Sequence, residues 1–511
     1  MMKNTVKYLT LLLMFTLLLT SCAATSYPPL TDDKNGAMID NDYKGSQIGE
    51  EFSTDAEDGF QENPFASTAT QNVSTFSADV DTASYAYFRK LVNAGYTLED
   101  LQNNAAAFRT EEFLNYFKYS VTAPTNGALF GSKTEIVPCP WNSENLLFRL
   151  TLQAENATER VGNNLVFLID VSGSMSEDDK LPLLKRAFTY LVGNLGANDT
   201  VSIVTYSGRE EVVLDGCSGL DSARILDAIH SLRANGSTNG EAGIAEAYRI
   251  AEKHMIAGGN NRIIMASDGD LNVGVSSVEE LKALIEGKRD AGVFLSIVGF
   301  GSGNYRSAKM ETLADNGNGV YYYIDGESEA EKIFGTDLLG TLYTIAKDVK
   351  LQITFDTEMI ESYRLIGYEN RILNQEDFKD NAKDAGDVGV GHQVTVCYEL
   401  KPCAQAKNAT DPWMELAVRY QKVGEALYRE DHYKIGAEAY SENANEDLRF
   451  QACVIRCAML LHKSQYLPEG YTVTALLEEL DALNLNDYSD RAEFRELIRR
   501  LTIYTPIQPR S

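Results

Sequence analysis

The sequence predicts an α/β fold: a central doubly wound, mostly parallel sheet, flanked by α+β modules with β-sandwich-like strands and a C-terminal helical region. Three observations predict it. Leu165-Val166-Phe167-Leu168-Ile169 is an unbroken apolar run, the composition of a strand buried on both faces. From about residue 160 to 346, such runs alternate with stretches of helical period. The segments on either side lack that alternation and are strand-rich, with helices at the far ends.

In the central region the first strand, 165–169, leads to a helix over Lys180–Leu195 and strands at Val201–Val204 and Glu211–Leu214. Helices at Ser222–Arg233 and Glu241–Met255 follow, then strand Arg262–Ala266, helix Ser277–Ala291 and strands Val293–Gly299 and Val320–Ile324. The preceding segment reads as helices Ala83–Ala94 and Arg109–Phe117 with strands Lys133–Val137 and Leu146–Leu152. The following one reads as strands Val349–Phe355, Tyr363–Tyr368, Gln393–Leu400 and Met414–Tyr420, then helices Glu446–His462, Thr474–Leu483 and Arg491–Leu501. Neither flanking strand set has an obvious core of its own. The two are therefore expected to pack together, which makes the α/β domain an insertion.

The N-terminus sets the expected compartment. Lys3 and Lys7 precede the apolar stretch Tyr8–Leu19, which ends in Leu19-Thr20-Ser21-Cys22. That stretch is too short to span a ~30 Å hydrocarbon core and has the length of a signal-peptide apolar region. Leu-Thr-Ser-Cys resembles the bacterial lipobox, in which the cysteine is acylated. The resemblance implies that Cys22 anchors the chain to the membrane, each buried methylene contributing ~0.8 kcal/mol. The expected location is extracytoplasmic, at the outer membrane or cell surface. Residues 23–61 are polar and rich in Asp, Ser, Gly and Thr, as in a flexible tether. The resulting division is 1–22 signal peptide and lipobox, 23–61 tether, 62–159 N-terminal module, 160–346 α/β domain, and 347–505 a β-rich then helical domain.

A formal net charge of −28 repels phosphate backbones, so nucleic acid is not an expected partner. Of the seven cysteines, Cys453 and Cys457 share an apolar helical stripe, and an i,i+4 pair is poorly oriented for a disulfide. A Cys397–Cys403 bridge is open, but mostly buried free thiols are expected. There is no GxSxG elbow, phosphate-binding loop or HExxH, and the five histidines are scattered, so the chain reads as a non-enzyme.

The chemistry concentrates at strand ends, where ligands bind in such sheets. The first strand runs into Asp170-Val171-Ser172-Gly173-Ser174. Gly236-Ser237-Thr238-Asn239-Gly240 lies between two helices, and Ala266-Ser267-Asp268-Gly269 ends the next buried strand. These three elements resemble the metal-ion-dependent adhesion site of von Willebrand factor type A domains. Asp170, Ser172, Ser174, Thr238 and Asp268 all offer oxygen, which suits Mg²⁺, with Mn²⁺ or Ca²⁺ as alternatives. The resemblance implies that Ser172 and Ser174 bind directly, with the other three direct or through water. Three neutral hydroxyls leave the ion incompletely neutralised, so it should attract an Asp or Glu carboxylate of a protein ligand.

Glu177 and Asp178 stand at the spacing of the adjacent metal site in integrin β subunits; alternatively they favour the dipole of the following helix. Asp79 and Asp81 could hold a cation or serve in a turn or helix cap. Ser74–Tyr85, Pro138-Cys139-Pro140-Trp141-Asn142, Asp268–Gly274, Tyr363–Arg371 and Lys383-Asp384-Ala385-Gly386 are similar to a family of bacterial lipoproteins built around this domain. That family implies architecture and a metal site but names no ligand. The expected function is cation-dependent protein recognition in adhesion or envelope assembly. The alternatives are an envelope scaffold whose metal only braces the fold, or a non-catalytic accessory subunit of an enzyme complex.

Overall fold

The computed structural model describes residues 60–504, with 126, 157–160, 237–239, 270–277, 302–306 and 407–410 excepted. Cys22 and Thr238 lie outside the described residues, as does nearly all of the tether. The α/β domain has a six-stranded sheet in the order Tyr321–Tyr323, Val293–Gly299, Asn260–Ser267, Asn163–Asp170, Thr200–Tyr206, Glu210–Ser218. All neighbours pair parallel except the last, an antiparallel edge.

The central strand shows why an unbroken apolar run is needed. Asn163–Asp170 is buried at every position. Leu165, Phe167 and Ile169 face one core, where Phe167 meets Phe188 of helix Leu181–Gly193 at 4.4 Å between ring centroids. Val166 and Leu168 face the other, with Ile244, Ala247 and Tyr248 of helix Gly240–Lys253. Alternate side chains thus bury against helices on opposite faces. The close approach of the second helix requires Gly243, where a Cβ would fall 2.7 Å from Tyr206 Cβ.

The flanking segments share two sheets. One runs Ala66–Ser67, Ile360–Ile366, Gln393–Pro402, Leu146–Ala154, Phe130–Pro138; the other runs Ile372–Leu373, Val73–Ser77, Thr344–Phe355, Met414–Lys422, Tyr428–Ile435. Each mixes strands from before and after the α/β domain, which is therefore inserted into a two-sheet body. Aromatic rings join the sheets: Phe76 and Phe355 of one meet Tyr398 and Tyr363 of the other. The C-terminal helices Glu446–Leu461 and Ser489–Tyr504 pack on the N-terminal helices through Phe450, Phe494, Phe117 and Tyr85.

The edge strand Tyr428–Ile435 was not expected from the sequence. Tyr-Arg-Glu-Asp-His-Tyr-Lys-Ile is too charged to show an apolar face because only one of its edges pairs. The Cys397–Cys403 bridge is absent: all six cysteines among the described residues are free, five of them buried. Six residues along an extended strand separate Cα atoms by ~20 Å, far beyond the ~7 Å disulfide limit.

Two arginines, half-buried Arg371 and buried Arg89, join the modules. Arg371 reaches Asp79 Oδ2 (3.3 Å), Glu311 Oε1 (2.8 Å) and Asp315 Oδ2 (2.7 Å), so it links both flanks to helix Ser307–Asn316 of the inserted domain. Arg109 adds a second bond to Glu311 (2.7 Å). Arg89 binds Asp325, Glu329 (2.6 Å) and Glu493 (3.1 Å), tying the N-terminal helix to the inserted domain and the C-terminal helix. Acids outnumber arginines at the first hub, and burial raises the carboxyls of Asp81, Glu311 and Asp315 above their usual range. Burial likewise pushes Glu112, beside Arg109, up to about 7.

Two outcomes follow for stability. Arg371→Ala strands buried carboxylates and should cost about 3–5 kcal/mol in urea unfolding. A raised carboxyl stabilises the fold fully below its ordinary value of 4.5, and that contribution is lost as pH rises through about 7. Glu112→Gln should therefore flatten the fall in melting temperature between those limits; an unchanged slope would show that Glu112 does not titrate there.

Candidate metal site

Parallel pairing places the two acidic strand ends side by side. Asn163–Asp170 and Asn260–Ser267 are in register through Ile169 and Ala266, so Asp170 and Asp268 leave the sheet at the same edge. Both are buried, Asp170 completely. Asp170 Oδ1 accepts the Ser172 N–H (2.8 Å), turning the chain sharply. That turn brings the hydroxyls of Ser172 and Ser174 to 3.0 Å of each other, the first buried and the second exposed. Met175 is buried beneath them.

The third sequence element arrives by backbone pairing. Asn235 N–H donates to the Val171 carbonyl (2.7 Å) and Gly173 N–H to the Gly236 carbonyl (3.0 Å). Gly236 adopts φ +89°, a conformation that favours glycine. This lays Asn235 and Gly236 against the Asp170–Ser174 turn. On the other side, Gly269 (φ +91°) donates to Ser267 Oγ (3.2 Å) and turns the chain after Asp268.

Three neighbours that sequence reasoning did not identify complete the site. Tyr206 pairs with Asp170 across adjacent strands; burial, then the charge of Asp170, raises its hydroxyl pKa well above the usual value. Lys180, 8% exposed, places Nζ 3.2 Å from Asp268 Oδ2 and 3.1 Å from the Ser174 carbonyl. Gly301 lies under the lysine stem, where a Cβ would be 2.5 Å from Lys180 Cε. Lys180 had only the signature of a residue at a helix start, because its contact with Asp268 joins that start to the end of a distant strand.

The donor chemistry fits a hard divalent cation: two buried carboxylates and two hydroxyls, all oxygen donors. Asp268 already receives one cation, the Lys180 ammonium.

The other acidic candidates resolve differently. Glu177 and Asp178 are both exposed and precede a helix that starts only at Leu181, so neither lies in its first turn. Among the described residues no third acid, His or Cys joins them at cation-holding distance, and Glu177 instead lies 3.7 Å from Lys180. Asp79, Asp81 and Glu311 do cluster within 4.8 Å, but the Arg371 guanidinium contacts all three and supplies the positive charge. Asp79 also accepts the Asp81 N–H (2.9 Å), the turn role; the following helix has no side-chain cap.

Comparison with known proteins agrees with this architecture. Residues 164–336 match the von Willebrand factor type A domain, 51–149 match a von Willebrand factor family, and 340–503 match the C-terminal region of the uncharacterized protein YfbK. The chain is 38% identical to uncharacterized protein YfbK of Escherichia coli over 435 residues, covering 80% of this chain and 74% of that protein. It is 28% identical to human inter-alpha-trypsin inhibitor heavy chain H3 over 182 residues, 34% of this chain and 20% of that one. A von Willebrand factor type A structure from Catenulispora acidiphila aligns with 76% of this chain and 89% of its own at a TM-score of 0.40 and 16% identity. With its two sheets closed around an inserted von Willebrand factor type A domain, the chain belongs to the family of Escherichia coli YfbK.

Proposed function

We propose that this protein captures a protein ligand at the envelope through a divalent cation held by Asp170, Ser172, Ser174, Thr238 and Asp268, and that it has no enzymatic activity. The observation that carries the reading is the convergence of Asp170, Ser172 and Ser174 with Asp268 at one open edge of the sheet. Von Willebrand factor type A domains commonly mediate protein–protein interaction and hold such an ion. The bound ion would supply a Lewis-acidic position for a carboxylate. The chain's own residues orient it: Asp170 holds the turn, Ser172 and Ser174 present hydroxyls, and exposed Ser174 marks the side from which a ligand approaches. The overall charge of −28 disfavours a uniformly acidic partner, so the fitting ligand offers one Asp or Glu in a neutral or basic surround.

Cys22 would anchor the chain to the extracytoplasmic face of a bacterial membrane. Among the described residues no helix is long and apolar enough to cross one. A scaffold reading is favoured by one observation, the arginine hubs that bind the inserted domain to its flanks; in it the ion would only brace the fold.

Thermal melts with Mg²⁺, Mn²⁺ or Ca²⁺ against EDTA test the site. Ligand at a hundredfold excess over Kd stabilises by about 2.7 kcal/mol, and Asp170→Ala should remove that shift. Capture of one partner from envelope extracts should require the metal and be weakened by Thr238→Ala with the fold intact. EDTA-indifferent capture would move the function to another surface and favour the scaffold. Separately, Cys22→Ser should leave the protein released or as unprocessed precursor; normal processing and membrane retention would refute the lipid anchor.

A further inference from the structure

We propose that Lys180 is a tethered cation that competes with the metal: its ammonium holds Asp268 while the divalent ion is away and gives that carboxylate up when the ion binds. The inference rests on the metal-site reading above and assigns a specific residue to setting its affinity.

The geometry is specific. Lysine side chains ordinarily extend their ammonium groups to water. Here the ammonium turns inward, 3.2 Å from Asp268 Oδ2 and 3.1 Å from the carbonyl of Ser174, itself a candidate ligand residue. Exposed Glu177 stands 3.7 Å away on the solvent side. The stem is confined as well as the head: Gly301 (φ +78°) leaves room for it that any side chain would take. The carbonyl of Gly301 accepts the Tyr323 hydroxyl, which fixes the wall of this channel.

Physical necessity explains a cation at this point. Asp268 is buried at a strand end beside a second buried carboxylate, Asp170. Two buried acids with no positive charge would be costly to fold before any metal arrived. The ammonium offsets that cost in the metal-free protein. A divalent ion at the same carboxylates meets a like charge and a donor already seated on Oδ2, so its binding is weakened and its release eased. A site of this kind exchanges its metal instead of locking it in.

The experiment is calorimetric titration of Mg²⁺ and Mn²⁺ into the whole chain, as wild type, Lys180→Met and Lys180→Arg, with melting curves in EDTA. Lys180→Met should bind metal about tenfold more tightly, as removal of a like charge a few ångströms from a divalent ion requires. Its melting temperature in EDTA should fall, while its metal-induced rise should grow. Lys180→Arg keeps the charge and should remain within about twofold of wild type. If Lys180→Met does not fold without metal, Lys180→Gln carries the same expectation. Wild-type or weaker affinity in the charge-removing variant overturns the competition while leaving the metal site standing. Binding in none of the folded proteins removes the metal-site reading and this inference together.

Discussion

The insertion of one domain into another makes Arg371 the interaction on which the rest depends. A domain spliced into a two-sheet body is tethered covalently at two crossings, yet its orientation must be set by contacts. Arg371 supplies them from the centre, with bonds to Asp79 of the N-terminal flank and to Glu311 and Asp315 of the inserted domain. A guanidinium suits this task because its planar fork serves several carboxylates at once, whereas a lysine offers a single point charge. The hub is deliberately acid-rich, and burial holds several of its carboxyls above their usual range. Arrangements of this kind add orientation more than net stability, since desolvation cancels much of the Coulombic attraction.

The second hub bears on the face of the candidate metal site. Helix Ala83–Asn93 carries Arg89, bound to Asp325 and Glu329, and next to it Lys90, bound to Asp179 at 2.7 Å. Asp179 lies in the turn that follows Ser172 and Ser174. The N-terminal module therefore borders the candidate site, and the site's loops are supported by more than the inserted domain. A ligand seated at Ser174 would meet a surface to which two modules contribute.

Much of the site was legible because its parts are local. Asp170, Ser172 and Ser174 belong to one turn, and a turn's geometry follows from its own residues: an Asx acceptor, a glycine and two short hydroxyl side chains. Asp268 was legible as the end of another buried strand. The central strands were equally plain, since burial on both faces demands an unbroken apolar run. The helix-dipole reading of Glu177 and Asp178 failed for the opposite reason. Spacing said nothing about where the helix would begin, and Pro182 sits at its start, leaving both acids in an exposed turn.

Sequence by itself determined the α/β class, the central strands in their order, and the candidate oxygen donors, because periodicity and turn chemistry act over a few residues; helix Ser307–Asn316, with little apolar periodicity, was not legible. Tertiary structure alone decided that Lys180 would face Asp268, that Arg371 would reach the Asp79–Asp81–Glu311 cluster, and that Tyr428–Ile435 would form a sheet edge. Each of these joins residues far apart in the chain. A charged side chain in a sequence carries no mark of which distant partner will neutralise it; only the packing of separate elements chooses, by making an unpaired buried charge too costly to keep.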